Sequence, residues 1–203
     1  MIKIYHHPVA RSMRVVWLCE EMGLPYEAVP VKFGDYPPEF VALNPLKTLP
    51  LMQDGPVVMI ESIAMMLYIM GRYGPTDLAV EPLDPAYAKY MQFLMFGEAG
   101  MAMYANPLIA TRFLAPDAEK SNWTVDYLKN TFGARLGFVE AALGEREYII
   151  GDKFTAADIS VGYSISMASI ASAELSPKLQ AYVQRLTERP AYKRAQEAKQ
   201  LTG

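Results

Sequence analysis

Lys47-Thr48-Leu49-Pro50-Leu51-Met52-Gln53-Asp54-Gly55-Pro56-Val57-Val58-Met59-Ile60-Glu61-Ser62-Ile63-Ala64-Met65-Met66-Leu67-Tyr68, running on to Tyr73, decides the fold of this chain. A short apolar run meets Asp54-Gly55, a strong hairpin turn signal. A second apolar run, Val57 to Ile60, answers it, so the two read as antiparallel strands. Glu61-Ser62 then opens a helix. Ile63, Met66, Leu67 and Met70 fall at i, i+3, i+4 and i+7, the spacing of a buried helical face. The first N–H groups of a helix have no intrahelical acceptors, and the positive end of the helix dipole lies there. A polar pair at this helix start is therefore a ready anion site.

On the N-terminal side, Ile2 to Tyr5 reads as a strand and His6-His7-Pro8-Val9 as a loop. A helix is expected from about Arg11 to Met22, with Val15, Leu18, Cys19 and Met22 on one face. Gly23 stops it, with Pro25 just beyond. Tyr26 to Lys32 reads as a second strand. Pro30 removes a ladder donor there, which places that strand at a sheet edge. Gly34 to Leu46 is proline-rich and irregular, with at most a short helix from Glu39 to Leu43. The order is β-α-β-α-β-β-α.

On the C-terminal side, Gly74-Pro75-Thr76-Asp77 and Glu81-Pro82-Leu83-Asp84-Pro85 are linker-like. After Pro85 no strand alternation appears. Helices are expected from Ala86 to about Tyr104, about Asn122 to Leu143, Ala156 to Ala171, about Pro177 to Glu188, and Ala191 to Lys199. Thr155 and Asp158 have the spacing of a capping box, with Asp in place of the usual Glu, and nucleate one of these helices.

The 203 residues are 52% hydrophobic and 20% charged, with a net charge of −3 and one cysteine. That content builds a core. The negative balance argues against a nucleic-acid partner, which favours a basic face. A single cysteine excludes an internal disulfide and fits a reducing compartment. Charged residues interrupt the N-terminal segment and the longest apolar stretch, so neither a signal peptide nor a membrane span is expected. The expected location is the cytoplasm. His6-His7 is a poor metal pair, because adjacent residues of an extended segment point to opposite faces and no other ligand lies at metal spacing.

The element order, Leu49-Pro50 ahead of the hairpin, Glu61-Ser62 at the helix start, and Phe154-Thr155-Ala156-Ala157-Asp158 far downstream together resemble the soluble glutathione transferases. The resemblance spans the whole chain. It implies an α/β thioredoxin-like N-terminal domain over residues 1–75 and an all-α C-terminal helical domain over 85–203. It implies a homodimer, in which one chain's thioredoxin-like domain meets its partner's helical domain. The activity it implies is attack of glutathione sulfur on an apolar electrophile, with glutathione as co-substrate and no metal. Two rivals stay open. One is another glutathione-dependent enzyme on this scaffold, a disulfide-bond reductase, a peroxidase or an isomerase. The other is a non-catalytic glutathione-binding or regulatory protein.

By this resemblance Glu61 meets the ammonium and Ser62 the carboxylate of the γ-glutamyl group. The Leu49 backbone, ahead of Pro50 with a cis bond, pairs with the cysteinyl part, and Lys47 meets the glycyl carboxylate. Met103 and Tyr104 are candidates for the electrophile pocket, where methionine adapts to varied shapes.

The chemistry needs a thiolate, since an unperturbed thiol titrates near ~8.5 and each unit of depression takes about 1.4 kcal/mol of preferential interaction with the anion. Many relatives show Ser-x-x-x-Arg across the first helix start. Aligning Arg14 with that arginine puts Ala10 at the serine position, and alanine cannot donate. Ser12, Arg11 and the backbone N–H groups around Ala10 and Arg11 are the candidates that remain for holding the sulfur.

Overall fold

The structure, a computed structural model, describes residues 1–198. It forms two compact units. The first comprises Met1–Asp77 with the segment that begins at Thr187, and the second is Leu78–Leu186.

The first unit holds strands β1 (Ile2–His6), β2 (Tyr26–Pro30), β3 (Leu51–Asp54) and β4 (Val57–Ile60), in the order β2-β1-β3-β4. β1 runs parallel to β2 and antiparallel to β3, and β4 closes the hairpin on β3. Pro30 ends the edge strand β2, opposite His6, where its missing donor costs the least. Asp54 belongs to β3 and pairs with Val57, so the hairpin loop is Gly55-Pro56, one residue later than the Asp54-Gly55 expectation. Gly55 takes φ 57°, a left-handed value that glycine adopts without a steric penalty.

Helices α1 (Ser12–Met22), α2 (Pro38–Leu43) and α3 (Ser62–Tyr73) complete this unit's β-α-β-α-β-β-α order. Gly23 caps α1 in the left-handed region, its N–H donating to Glu20 O. The expected one-sided burial of α1 is too narrow. Every residue from Ser12 to Cys19 is buried, while Met22 is only half-buried. The other face is covered by the last helix, α9 (Pro190–Glu197), which packs against α1. Trp17 meets Tyr192 edge-on at 4.9 Å, and Arg189 grips Glu21 with bonds of 2.6 and 2.8 Å. The sequence reading assigned this last helix to the helical domain. The end it gave the helix, Lys199, lies outside the described residues. In α3 the buried face runs through Ile63, Met65, Met66, Ile69 and Met70, and Leu67 is 36% exposed, so the stripe is rotated from the expected one.

The second unit is helical among the described residues: α4 (Tyr87–Met95), α5 (Met103–Leu114), α6 (Trp123–Leu143), α7 (Ala156–Ser166) and α8 (Pro177–Thr187), whose final residue starts the closing segment of the first unit. A π-helical stretch, Phe96–Ala102, joins α4 to α5, so the helical run passes the expected end at Tyr104 and carries Pro107 inside it. The hydroxyls of Ser160 and Ser164 on α7 donate to Leu94 O at 2.7 Å and Gly97 O at 2.6 Å. The wide turn loosens carbonyls from the ordinary ladder, and these serines satisfy them. The approach is close enough that a Cβ on Gly97 would collide with the Ser160 backbone. α7 ends at Ser166, short of the expected Ala171.

The capping box at the start of α7 forms, and Asp158 does more than cap. Its carboxylate accepts from the N–H groups of Thr155 and Ile149 at 2.8 Å each and from the Tyr182 hydroxyl at 2.7 Å. Burial pushes this carboxyl above the usual range, and the hydrogen bonds oppose that.

Candidate functional site in the first unit

Three segments of the first unit meet at one end of its sheet. The loop between β1 and α1 contributes Ala10, which is 7% exposed and packs in an apolar cluster with Tyr5, Phe40, Leu49 and Leu51. Leu49 brings the second segment into the same cluster, and Ile60, at the end of β4, packs against it just before Glu61. Arg14 ties the third, donating from Nη1 to Ser62 Oγ at 3.2 Å. Ala10, Leu49 and Glu61-Ser62 are therefore gathered by packing and one buried hydrogen bond.

The Leu49-Pro50 bond is cis. Buried Asn44 holds the loop ahead of it. Its Nδ2 donates to Thr48 O at 2.7 Å, and its Oδ1 accepts from the Leu46 N–H at 3.2 Å. Lys47 is exposed on this loop with φ 53°. Glu61 has φ 74° and ψ 105°, and its side chain does not cap α3. Among the described residues only Lys47, Glu61 and Ser172 are non-glycines with positive φ. Such conformations cost of order 1–3 kcal/mol each and cluster at ligand clamps. Two of the three fall on residues that the sequence singled out for glutathione. Ser62, 1% exposed, is the first residue of α3, at the positive end of its dipole.

Ser12 and Arg11 sit at the start of α1, and the geometry gives Ser12 a job in the loop. Its hydroxyl, fully buried, lies 2.9 Å from His6 Nδ1, accepts from the His7 N–H at 3.2 Å and reaches His7 O at 3.2 Å. A serine offers one proton and two lone pairs. With His6 protonated on Nδ1 and Ser12 donating to His7 O, all three are used. This tautomer also leaves the partnerless buried His6 Nε2 as a bare lone pair instead of a stranded N–H donor. The hydroxyl then has nothing left to offer a sulfur atom. Burial, helped by neighbouring His7, pulls the His6 pKa down to about 4 and keeps the ring neutral. Arg11 is half-buried at the helix start. Tyr5, the other hydroxyl near this loop, donates instead to Gln53 Oε1 on β3 at 3.3 Å.

Arg14 and Asn44 were missed by the sequence reading as site residues. Arg14 did carry a signal, a lone cation inside the apolar run Met13 to Cys19, because buried charge demands partners. Cys19 is buried and its thiol is pushed up to about 12 by burial, with a smaller push from Glu20, which suits a core residue and not a redox thiol. Among the described residues no group of three or more His, Cys, Asp or Glu side chains could hold a metal, and no helix is long and apolar enough to cross a membrane.

In the second unit, Met103 is 56% exposed at the start of α5. Tyr104 is half-buried under the Arg135 guanidinium, 4.9 Å from its ring.

The element order and mixed sheet of the first unit define a thioredoxin-like domain. Residues 1–71 match the N-terminal domain of the glutathione S-transferases and residues 104–197 their C-terminal domain. The chain belongs to the glutathione S-transferase family. It is 28% identical to "Glutathione S-transferase 3" of Schizosaccharomyces pombe over 97% of this chain and 87% of that protein. A glutathione transferase from Phanerochaete chrysosporium, solved in complex with oxidized glutathione, is 25% identical with a TM-score of 0.84, covering 97% of this chain and 94% of that one. A theta class glutathione S-transferase from Xanthomonas axonopodis pv. citri, solved with glutathione bound, is 28% identical with a TM-score of 0.78, covering 96% of each chain.

Proposed function

We propose that the first unit binds glutathione and that the protein conjugates it to an apolar electrophile, the glutathione sulfur forming the new bond as the electrophile's leaving group departs or its ring opens. The observation that carries this reading is Ser62, a buried hydroxyl at the positive end of α3, beside Glu61 in a strained left-handed conformation. Ser62 takes the γ-glutamyl carboxylate through its hydroxyl and N–H, and the Glu61 carboxylate takes the ammonium. The Leu49 backbone, turned by cis Pro50, pairs with the cysteinyl residue as an added strand. Lys47 meets the glycyl carboxylate.

The sulfur lies over the start of α1. The Ser12 side chain is spent on His6 and His7, so the thiolate is held by N–H groups at this helix end, by the helix dipole and by the Arg11 guanidinium. Ser12 contributes by fixing the loop that presents them. Residues 1–75 serve as the glutathione-binding domain, and the helical domain over 85–203 supplies the electrophile pocket, with Met103 and Tyr104 on its wall. The working protein is a cytoplasmic homodimer.

Ala10 and the filled Ser12 hydroxyl favour a second reading, in which the chain holds glutathione without turning it over. Calorimetry with glutathione, beside turnover on halide, epoxide and peroxide substrates, decides. Micromolar-to-millimolar binding with conjugation of a halide or epoxide is expected, and binding with no turnover on any substrate selects the second reading. Ser62→Ala and Glu61→Ala each weaken binding by about 1–3 kcal/mol, the scale of losing a charge-assisted hydrogen bond. Unchanged affinity in both folded variants removes the site assignment.

A further inference from the structure

The π-helical stretch Phe96–Ala102 decides which way the residues after it face. The Met103 N–H donates to Glu98 O, five residues back, an i→i+5 bond. Relative to the ordinary i→i+4 ladder such a turn holds one extra residue, and one residue is about 100° of α-helical rotation. Met103 and Tyr104, which open α5, therefore stand roughly 100° around the axis from where an uninterrupted α-helix would put them.

Two side chains of α7 bond to this turn. Ser160 and Ser164, one helical turn apart and both fully buried, donate to Leu94 O at 2.7 Å and to Gly97 O at 2.6 Å. A carbonyl that accepts from a serine hydroxyl depends less on its ladder N–H, so these bonds offset the cost of the wide turn. Two glycines make room. Gly97 lets the Ser160 backbone approach, and Gly100 leaves space for the Phe96 ring, which meets Phe138 of α6 at 5.1 Å.

We propose that Ser160 and Ser164 are positioning residues: by holding the wide turn they set the rotation of α5 that presents Met103 and Tyr104 to an apolar electrophile. This rests on the reading that Met103 and Tyr104 wall the electrophile pocket. Both serines lie just beyond the capping box, on the helix that it starts, so the box anchors the helix and the serines pass its position on to the wall.

Calorimetry compares glutathione with S-(2,4-dinitrophenyl)glutathione, a conjugate with an aryl group on the sulfur, so the readout needs no turnover. The proteins are wild type, the double variant Ser160→Ala/Ser164→Ala, and Met103→Ala/Tyr104→Ala as the control for the wall itself. Circular dichroism melting confirms that each is folded. Wild type is expected to bind the conjugate roughly tenfold tighter than glutathione, or more. The serine variant is expected to cut that ratio to ~threefold or less, with its affinity for glutathione itself held within about twofold. A merely stabilising role lowers the melting temperature and leaves the ratio alone, so an unchanged ratio in the folded serine variant overturns the proposal. An unchanged ratio in the control removes the wall assignment, and the proposal with it. A wild type that binds neither ligand removes the glutathione reading, a separate failure. Where the double variant does not fold, Ser164→Cys takes its place, close to serine in size but only a weak donor. The same drop is expected of it, and an unchanged ratio overturns the proposal equally.

Discussion

His6 shows how one side chain ties the site to pH. The ring is 1% exposed, bonded to Ser12, and held neutral with its pKa near 4. In the unfolded chain a histidine titrates near ~6.5. Between those values the unfolded state binds the extra proton, so stability rises with pH across the window and is lost on acidification from pH 6.5 toward 4. The expected slope is at most about 1.4 kcal/mol per pH unit from this residue. Urea unfolding at pH 7 and pH 5 measures it, and His6→Asn should flatten the difference relative to wild type. An equal pH dependence in both proteins would show that His6 does not charge on unfolding in this range. At the same scale, much of the candidate site was legible. Leu49-Pro50 and Glu61-Ser62 announce themselves because their signals are local and close in sequence. Ser12 was legible as a nearby hydroxyl, but its partners were not. They depend on how His6 and His7 turn at the end of β1, and spacing along the chain does not carry that.

Among the elements, the π-helical stretch and the start of α7 carry the sharpest expectations. Gly97→Ala drives a methyl into the Ser160 backbone and should destabilise by about 1–3 kcal/mol, the usual cost of overpacking. Gly133, mid-helix in α6, has nothing within 4 Å of an added Cβ, so Gly133→Ala should stabilise by up to about 1 kcal/mol. Thermal melting of the two variants reads the contrast, and equal shifts would mean that the close contact at Gly97 is not what holds the turn. Asp158→Ala removes a cap and also strands the Tyr182 hydroxyl and the Ile149 N–H. The expected loss is about 3 kcal/mol or more, above the ~1 kcal/mol of a cap alone, with glutathione affinity unchanged in the folded fraction. A loss of binding at full stability would contradict that structural role. The capping box was readable because its two members lie three residues apart. Its outer partners were not, because Tyr182 lies 24 residues further on. The π-helical stretch left only a faint trace, two glycines within a helical pattern and serines one turn apart on another helix.

For the whole molecule, the order β-α-β-α-β-β-α followed by helices was legible because the hairpin, the glycine stop after α1 and the linker prolines are each local decisions. The return of α9 to α1 was not. The polar pairs that anchor it, Arg189 with Glu21 and Arg194 with Glu20, join residues 168 and 174 apart. The packing of α9 on α1 accompanies the wide burial of α1. The central claim is that this chain activates glutathione without a side-chain hydroxyl on its sulfur. The direct measurement is a pH titration of thiolate absorbance for bound glutathione in wild type, Ser12→Ala and Arg11→Ala. A depressed thiol pKa in wild type, nearly unchanged in Ser12→Ala and raised in Arg11→Ala, is the predicted result. A wild type with an undepressed thiol, or a rise of about one unit or more (about 1.4 kcal/mol) in folded Ser12→Ala, would contradict it.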